Sequence, residues 1–259
     1  MAERVTRAIL RTPGRSFAAG LTVAGGGAPD LSLALAQHEA YAKALGGCGL
    51  ALTVLPANER FPDGTFVEDT AVLTPRAAIV TRPGAPSRLG EIDSIAETLR
   101  GVYPTVLHIE PPGTVDGGDV CECDGRFLIG VSSRTDAVGA EQLAGFLRDL
   151  GYRATLIDIR GSQTLLHLKT GLSYLGDGRL VVSSDVPQSA NLMDFERIAL
   201  EPSEAYAANC IRVNDRVLVA AGYPRFAERL ARLGLDPLPL GMSEFRKMDG
   251  GLSCLSLRF

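Results

Sequence analysis

The chain has 259 residues, 46 % of them hydrophobic and 22 % charged, a composition typical of a soluble globular protein with one large or two small domains. The formal net charge is −4, and the sequence has no basic run, so we expect no nucleic-acid partner. No apolar run reaches the ~18 residues of a membrane-spanning helix, so we expect no membrane partner either. Five cysteines, an odd count in a long chain, favour free thiols and a cytoplasmic location.

The first predicted elements are a strand over residues 5–10 and a helix over residues 31–45, joined by a loop over residues 12–30. A loop of this length inside a compact domain often acts as a lid or binding loop. Asp30 is placed to cap the helix, which the glycine pair that follows should end. A buried strand is predicted next, over residues 49–55.

The middle of the chain repeats one pattern, in which an arginine opens an apolar strand. The four clear openings are at Arg76, Arg126, Arg179 and Arg216, and a looser fifth copy starts at Arg7. Helices are predicted near residues 91–99, 137–150, 192–200 and 224–233. Because a single strand–strand–helix–strand unit cannot bury its apolar face alone, neighbouring units must stack.

Two Asp-Gly pairs support this pattern, at residues 124–125 and 177–178, since Asp-Gly between apolar runs is a strong hairpin signal. Hairpins argue against a purely parallel, doubly wound sheet. No Ser/Gly-rich linker divides the chain. We therefore predict an α/β protein with a single catalytic domain over residues 1–259.

Two residues are candidates for covalent chemistry. Cys254 follows a glycine pair, which lets the backbone turn sharply and bring the thiol close to a ligand; alternatively, it is a small buried residue in a last strand over residues 252–259. His167 lies between leucines and is either a core residue or the base that activates the thiol. We favour His167 for this role, because His38 and His108 are predicted on a helix and within a strand.

Acidic residues form two further clusters. Asp116 and Asp119 flank a glycine pair. This segment is either a plain turn with solvated acids, or it supplies one acid that hydrogen-bonds and orients the imidazole. Residues 61–69 hold three carboxylates among Phe, Pro and Val. This segment is either an acidic surface loop or a site for a planar cation such as guanidinium. A divalent metal would need denser oxygen ligands or histidines, so no metal site is predicted.

Taken together, these segments resemble the dimethylarginine dimethylaminohydrolases of the guanidine-modifying superfamily. The matching stretches are Phe61-Pro-Asp…Phe-Val-Glu-Asp69, Ile79 to Arg88, Asp116-Gly-Gly-Asp-Val120, Ser133-Arg-Thr135, Leu166-His-Leu-Lys169, Ala208-Asn-Cys210 and Met242 to Cys254. They follow the family's order and cover nearly the whole chain. The resemblance implies a five-bladed α/β propeller of pseudo-symmetric ββαβ units.

The resemblance also implies an activity and a set of site residues. The activity is hydrolysis of asymmetric dimethylarginine or monomethylarginine, the expected small-molecule partner, to citrulline and a methylated amine, without a cofactor. By position, Cys254 resembles the nucleophile, His167 the general acid/base and Asp116 the acid that orients the histidine. Some family members carry Glu where this chain has Asp116.

The remaining carried-over residues would bind substrate. Acids around the guanidinium correspond to Asp63, Glu68 and Asp69. The clamp for the substrate carboxylate corresponds to Arg88 and Arg134, and the other contacts to Leu21 and the backbone at Met248.

Three other functions fit parts of the sequence. An arginine or agmatine deiminase would use the same catalytic residues and release ammonia. A non-catalytic arginine-binding protein would keep the fold but need not keep Cys254 and His167, which are both present. A cysteine peptidase would place its nucleophile at a helix N-terminus, whereas Cys254 precedes a short predicted strand. No feature of the residues indicates an oligomeric state.

Overall fold

The computed structural model describes residues 4–190 and 192–259. These residues form two compact units, the first from residues 4–67 and 209–259 and the second from residues 68–208. Both units are built from three-stranded sheets with flanking helices. The single catalytic domain stays a prediction.

The elements are as follows. The strands are β1 (Arg7–Arg11), β2 (Ala51–Leu55), β3 (Ala71–Leu73), β4 (Ala78–Val80), β5 (Val106–His108), β6 (Val120–Cys123), β7 (Arg126–Val131), β8 (Arg153–Asp158), β9 (Leu172–Tyr174), β10 (Arg179–Val182), β11 (Glu196–Ala199), β12 (Ile211–Val213), β13 (Arg216–Ala220), β14 (Asp236–Leu240) and β15 (Leu257–Arg258). The α-helices are α1 (Leu31–Gly47), α2 (Ile92–Arg100), α3 (Ala137–Asp149), α4 (Leu168–Gly171), α5 (Pro224–Arg232) and α6 (Ser243–Arg246). Short 3-10 helices lie at Arg15–Ala19, Val67–Thr70, Pro86–Glu91, Gly117–Asp119, Pro202–Ala208 and Ser253–Leu255.

Within residues 4–190 and 192–259, the strands form five three-stranded sheets, and all five share one topology. The sheets are β15-β1-β2, β3-β4-β5, β6-β7-β8, β9-β10-β11 and β12-β13-β14. In each, the middle strand pairs antiparallel with the first and parallel with the third. A hairpin suffices for an antiparallel pair, whereas a parallel pair needs a crossover, usually a helix. The predicted α/β class and the five repeated units are confirmed, although among the described residues no helix lies between β10 and β11.

Both predicted hairpins are present. Asp124 and Gly125 have φ of 49° and 80°, and Asp177 and Gly178 have φ of 54° and 73°. Two successive residues with positive φ are typical of a type I′ turn, whose twist matches that of the flanking strands. In both hairpins an arginine opens the strand that follows, as the repeat predicted.

Four predicted helices are found within two residues of their expected ends, as α1, α2, α3 and α5. The N-cap prediction for α1 also holds, because the side chain of Asp30 accepts the N–H of Leu33 at 2.9 Å.

The helix predicted over residues 192–200 is wrong. Residues Glu196–Ala199 form β11, which pairs parallel with β10 from Arg179 opposite Glu196. Leu192, Phe195 and Ile198 have helical spacing, but Ile198 and Leu200 also fit the period of two that a strand needs. The free edge of β10 decides between the two patterns, since the sheet needs a third strand there.

Two apolar clusters in the second unit fix the elements around the site. In one, Leu143 and Leu147 of α3 pack with Phe127 and Ile129 of β7. In the other, Leu168 and Leu172 pack with Leu128 and its neighbours. Each fully buried leucine contributes roughly 1.5–3 kcal/mol to stability, so α4 is anchored by its first residue although it is only one turn long.

All five cysteines are free thiols, as predicted, including Cys121 and Cys123, whose Sγ atoms lie 3.9 Å apart. None of the described helices combines the length and the apolar character that crossing a bilayer requires.

Candidate active site

In the second unit, the turn between β5 and β6 brings Asp116 against the ring of His167. Asp116 is fully buried, and its Oδ2 lies 3.0 Å from Nε2 of His167. Its Oδ1 accepts the N–H of Gly84 at 2.9 Å, and its own N–H donates to Thr135 Oγ1. An ionised carboxylate can only accept, so Nε2 carries the proton in this contact. Asp116 therefore contacts the imidazole directly, although its side chain is one methylene shorter than the Glu of some family members.

His167 lies just before α4 and is its N-cap residue. Its N–H donates to Thr170 Oγ1 at 3.3 Å, and the N–H of Thr170 donates back to its carbonyl at 3.1 Å. The ring lies on the backbone of Gly118, where an added Cβ would come within 2.7 Å of Nδ1. Glycine at position 118 is thus required to let the imidazole approach, whereas an added Cβ on Gly117 would meet the carbonyl oxygen of Glu68.

Asp69 is the second acid that faces Nε2 of the imidazole. One of its oxygens is 4.0 Å from His167 Nε2 and accepts the N–H of Gly118 at 2.9 Å. The other pairs with Arg88 at 2.6 Å. Burial raises the pKa of Asp69, but the positive charges of His167 and Arg88 outweigh burial and lower this pKa to about 2. Asp69 is therefore ionised at neutral pH.

The carboxylates around His167 in turn keep its imidazole protonated. Burial lowers the pKa of its imidazole, but the surrounding carboxylates, Asp69 first among them, outweigh burial and raise the pKa to about 9. The arrangement is a buried imidazolium held among ionised carboxylates. Chemically, it can donate a proton at neutral pH to a leaving group.

The two arginines predicted to clamp the substrate carboxylate differ in their surroundings. Arg88 is buried and pairs with both Asp69 and Glu91, and these acids hold the pKa of its guanidinium well above the usual value against the effect of burial. Arg134 is half-buried, and among the described residues its guanidinium has no ion-pair partner. Arg134 can therefore accept an incoming carboxylate without first breaking a pair.

Glu68 is buried and pairs with Lys169 Nζ at 2.6 Å. This lysine is two residues beyond His167, so the segment that carries the histidine also fixes Glu68.

Asp69, Asp116 and His167 offer side-chain atoms within 4.8 Å of one another, which is the spacing of a possible metal site. The surroundings do not favour a cation there. His167 carries a proton on the nitrogen that faces both acids, and Arg88 already neutralises Asp69. The donor set fits a proton better than a metal ion.

In the first unit, Cys254 lies in the 3-10 turn Ser253–Leu255 and is partly exposed. The predicted last strand over residues 252–259 is wrong in extent, because only Leu257–Arg258 pair with β1. Two buried hydrogen bonds join Ser253 to Asn209. The N–H of Ser253 donates to Asn209 Oδ1 at 2.9 Å, and Asn209 Nδ2 donates to Ser253 Oγ at 3.0 Å. The N–H of Gly251 points at Cys254 Sγ at 3.4 Å. The thiol is thus presented by a tied turn rather than by a strand.

The first unit also brings together three predicted substrate-binding residues. Both carboxylate oxygens of Asp63 accept the N–H of Leu21, at 3.0 and 3.2 Å. An added Cβ on Gly20 would touch both Asp63 and Met248. The backbone at Gly20 in the long first loop is therefore the place around which Leu21, Asp63 and Met248 lie close together.

That loop is tied to the segment that leads to Cys254. Thr22 Oγ1 donates to the carbonyl of Lys247 at 2.8 Å, and the N–H of Val23 donates to Asp249 at 2.7 Å. Further along, the N–H of Asp30 donates to the buried Glu244 at 2.7 Å. The predicted binding loop is therefore held in place at several points.

Sequence reasoning gave no final role to four residues that support these sites. They are Glu91, Lys169, Asn209 and Asp119, the last of which was considered only as an alternative to Asp116 as the acid that orients the imidazole. A signal existed for two of them, because Glu91 follows Arg88 at the i,i+3 spacing of a helical ion pair and Asp119 mirrors Asp116 across the glycine pair. The partners of Lys169 and Asn209 are 101 and 44 residues away, and no local pattern reveals them.

Comparison with known proteins agrees with this geometry. Residues 103–220 match the family model described as arginine deiminase. The chain is 47 % identical over 252 residues to a dimethylarginine dimethylaminohydrolase of Pseudomonas aeruginosa, covering 97 % of this chain and 98 % of that protein.

The chain is also similar to solved structures. One is a cysteine-to-serine variant of the P. aeruginosa enzyme complexed with citrulline, with a TM-score of 0.96, 46 % identity and coverage of 99 % of this chain and 100 % of that chain. Another is a histidine-to-glycine variant of a dimethylarginine dimethylaminohydrolase as an adduct with S-methyl-L-thiocitrulline, with a TM-score of 0.95, 46 % identity and coverage of 98 % and 100 %. The overlap confirms the propeller fold class. With near-complete coverage at this identity, the chain belongs to the dimethylarginine dimethylaminohydrolase family.

Proposed function

We propose that this protein hydrolyses asymmetric dimethylarginine and monomethylarginine to citrulline and dimethylamine or methylamine. The observation that carries the proposal is the buried imidazolium of His167 between Asp116 and Asp69, on a chain that belongs to this family. The relatives add support, because one binds citrulline and another forms an adduct with S-methyl-L-thiocitrulline.

The proposed reaction has two stages. The thiolate of Cys254 attacks the guanidinium carbon, and the C–N bond to the methylated nitrogen breaks as His167 gives that nitrogen its proton. The product of this stage is a thiouronium ester on the cysteine. Neutral His167 then takes a proton from water, whose oxygen attacks the same carbon. The C–S bond breaks, and citrulline and the thiolate are released.

Asp116 keeps the imidazole oriented and stabilises its charge throughout. No cofactor takes part in this scheme.

We assign the remaining residues to substrate binding. Asp63, Glu68 and Asp69 are all buried acids, which suits the planar, delocalised charge of a guanidinium. Arg134, whose guanidinium has no ion-pair partner within residues 4–190 and 192–259, is the main clamp for the substrate carboxylate, and Arg88 is its companion. Leu21 and the backbone at Met248 complete the contacts. Positioning of this kind can lower the barrier by up to ~7–11 kcal/mol.

The test is rapid acid quench of the protein with asymmetric dimethylarginine, followed by mass spectrometry of the intact chain and its C-terminal peptide. We expect a covalent adduct on the peptide that contains Cys254. Cys254→Ser and His167→Ala should abolish citrulline formation without loss of fold, whereas Cys48→Ser serves as a matched thiol control and should keep activity. Full activity in either of the first two variants would remove the assignment.

The match to an arginine deiminase model favours a second candidate, hydrolysis of arginine itself with release of ammonia. The two functions share their catalytic groups and differ in the leaving group. Comparing kcat/KM for arginine and for asymmetric dimethylarginine separates them, and we expect the methylated substrate to be preferred. We further propose a cytoplasmic location, which the five free thiols support.

A further inference from the structure

The turn that holds Asp116 carries a second carboxylate, Asp119, for which the reaction scheme has no role. Asp119 is fully buried, with an exposed fraction of 0 %. Its Oδ2 accepts the hydroxyl of Ser132 at 2.7 Å, and its Oδ1 accepts the N–H of Leu168 at 2.9 Å. Both carboxylate oxygens are therefore occupied by donors from other elements of the same unit.

The contact with Leu168 is the one that concerns the histidine, because this N–H belongs to the peptide bond between His167 and Leu168. Asp116 holds the far end of the imidazole at Nε2, and Asp119, three residues later, holds the backbone from which the ring extends. One turn thus fixes the histidine at both ends.

Close packing holds Asp119 in this position. A Cβ on Gly130 would come within 2.8 Å of Asp119 Oδ1 and 2.9 Å of Leu168 Cβ. The carboxylate is therefore confined between the strand β7 and the start of α4, and displacing it would move one of them.

Asp119 also contributes to the field at the imidazole. The charged groups around His167 are the carboxylates of Asp69, Asp116 and Asp119, with Arg88 beyond Asp69 and Lys169 two residues along the chain. Burial raises the pKa of Asp119 to about 6, although the charge of His167 and the hydrogen bond from Ser132 act in the opposite direction. At neutral pH and above, Asp119 is mainly ionised.

We propose that Asp119 is a positioning residue for His167, which orients the imidazole through the His167–Leu168 peptide and keeps it protonated through its own buried negative charge. The kinetic part rests on the proposed function, whereas the effect on the ionisation of His167 does not.

Two variants separate hydrogen bonding from charge. Asp119→Asn keeps an acceptor for the Leu168 N–H but removes the charge, and Asp119→Ala removes both. We expect Asp119→Ala to lower kcat by about tenfold or more with little change in KM, because misplacing a catalytic group affects the chemical step more than binding. Asp119→Asn should keep more activity than Asp119→Ala and should decide the case if the alanine variant fails to fold.

The decisive measurement is an NMR titration of His167, which is feasible because the chain has only three histidines. We expect Asp119→Asn to lower the pKa of His167 by about half a unit or more. Asp149→Asn is the control, since Asp149 is an exposed carboxylate at the end of α3 in the same unit, and the change should leave both the titration and kcat unchanged.

A titration of His167 in Asp119→Asn that matches the wild type would overturn the proposal, whatever the activity. An equal loss of kcat in Asp149→Asn would also overturn it, because a general effect of removing a carboxylate charge from this unit would then explain the result. If the wild-type protein forms no citrulline, the proposed function fails, but the titration still tests the link between Asp119 and His167.

Discussion

At the scale of single residues, the chemistry depends on where one proton resides. His167 is buried and yet protonated, because the carboxylates around it outweigh the cost of burying its charge. This arrangement also needs glycine at position 118, since any side chain there would meet the imidazole. The ordinary pKa of histidine would leave most of this group neutral at pH 7 to 8, without the proton that the leaving amine needs.

This protonation predicts a pH profile. The pKa of His167 is raised from 6.5 to about 9, so the general acid is present below that value and is lost as the pH rises through it. We expect kcat/KM for asymmetric dimethylarginine to fall on the alkaline side with a midpoint near pH 9, because kcat/KM reports the ionisation of the free enzyme. The measurement is a steady-state pH series with circular dichroism at each pH as a check on folding. An alkaline midpoint close to 6.5 would contradict the network.

At the scale of elements, the turn that carries Cys254 depends on a side chain from a distant segment. Asn209 makes two buried hydrogen bonds to Ser253, and Gly251 packs against the same side chain. Leaving buried donors and acceptors without partners costs about 1–3 kcal/mol for each group.

We therefore expect Asn209→Ala to lower the free energy of unfolding by roughly 2–4 kcal/mol and to reduce kcat as the thiol loses its fixed place. Urea denaturation gives the first quantity and citrulline formation the second. Asn58→Ala is the control and should change neither, because the side chain of Asn58 lies at a surface turn and accepts the N–H of Arg60, two residues away. An Asn209→Ala variant with wild-type stability would show that the turn holds its shape without these bonds.

Most elements could be predicted from local signals. Asp30 before an apolar stripe placed α1, and the Asp-Gly pairs placed two hairpins, because capping and positive φ are properties of a few adjacent residues. The strand at residues 196–199 could not be predicted in the same way, since its pairing with β10 depends on a sheet edge that local spacing does not reveal.

The same distinction applies to the site. The sequence pointed to Asp116 and His167, and the structure joins them directly at 3.0 Å. It could not indicate that Arg88 is already paired with Asp69, because both residues were assigned separately to an absent substrate. It also left Lys169 without a role, since the partner of this lysine lies 101 residues earlier.

At the scale of the whole molecule, the described chain passes between its two compact units at residues 67–68 and again at residues 208–209. Neither crossing contains a Gly/Ser-rich linker of the kind that separates independent domains. We therefore predict a single catalytic domain with one cooperative unfolding transition. Differential scanning calorimetry should give one peak whose calorimetric and van't Hoff enthalpies agree. Two separate peaks would contradict this prediction.

The pairing of β15 with β1 has a consequence for biosynthesis. Ala8 and Ile9 lie opposite Arg258 and Leu257, so one edge of the first sheet is filled by residues translated about 250 positions later. At typical ribosomal speeds of ~5–20 residues per second, β1 waits roughly 10–50 s for this neighbour. During that interval this edge of β1 has no strand to pair with, so the emerging polypeptide exposes backbone N–H and C=O groups with which other chains could pair.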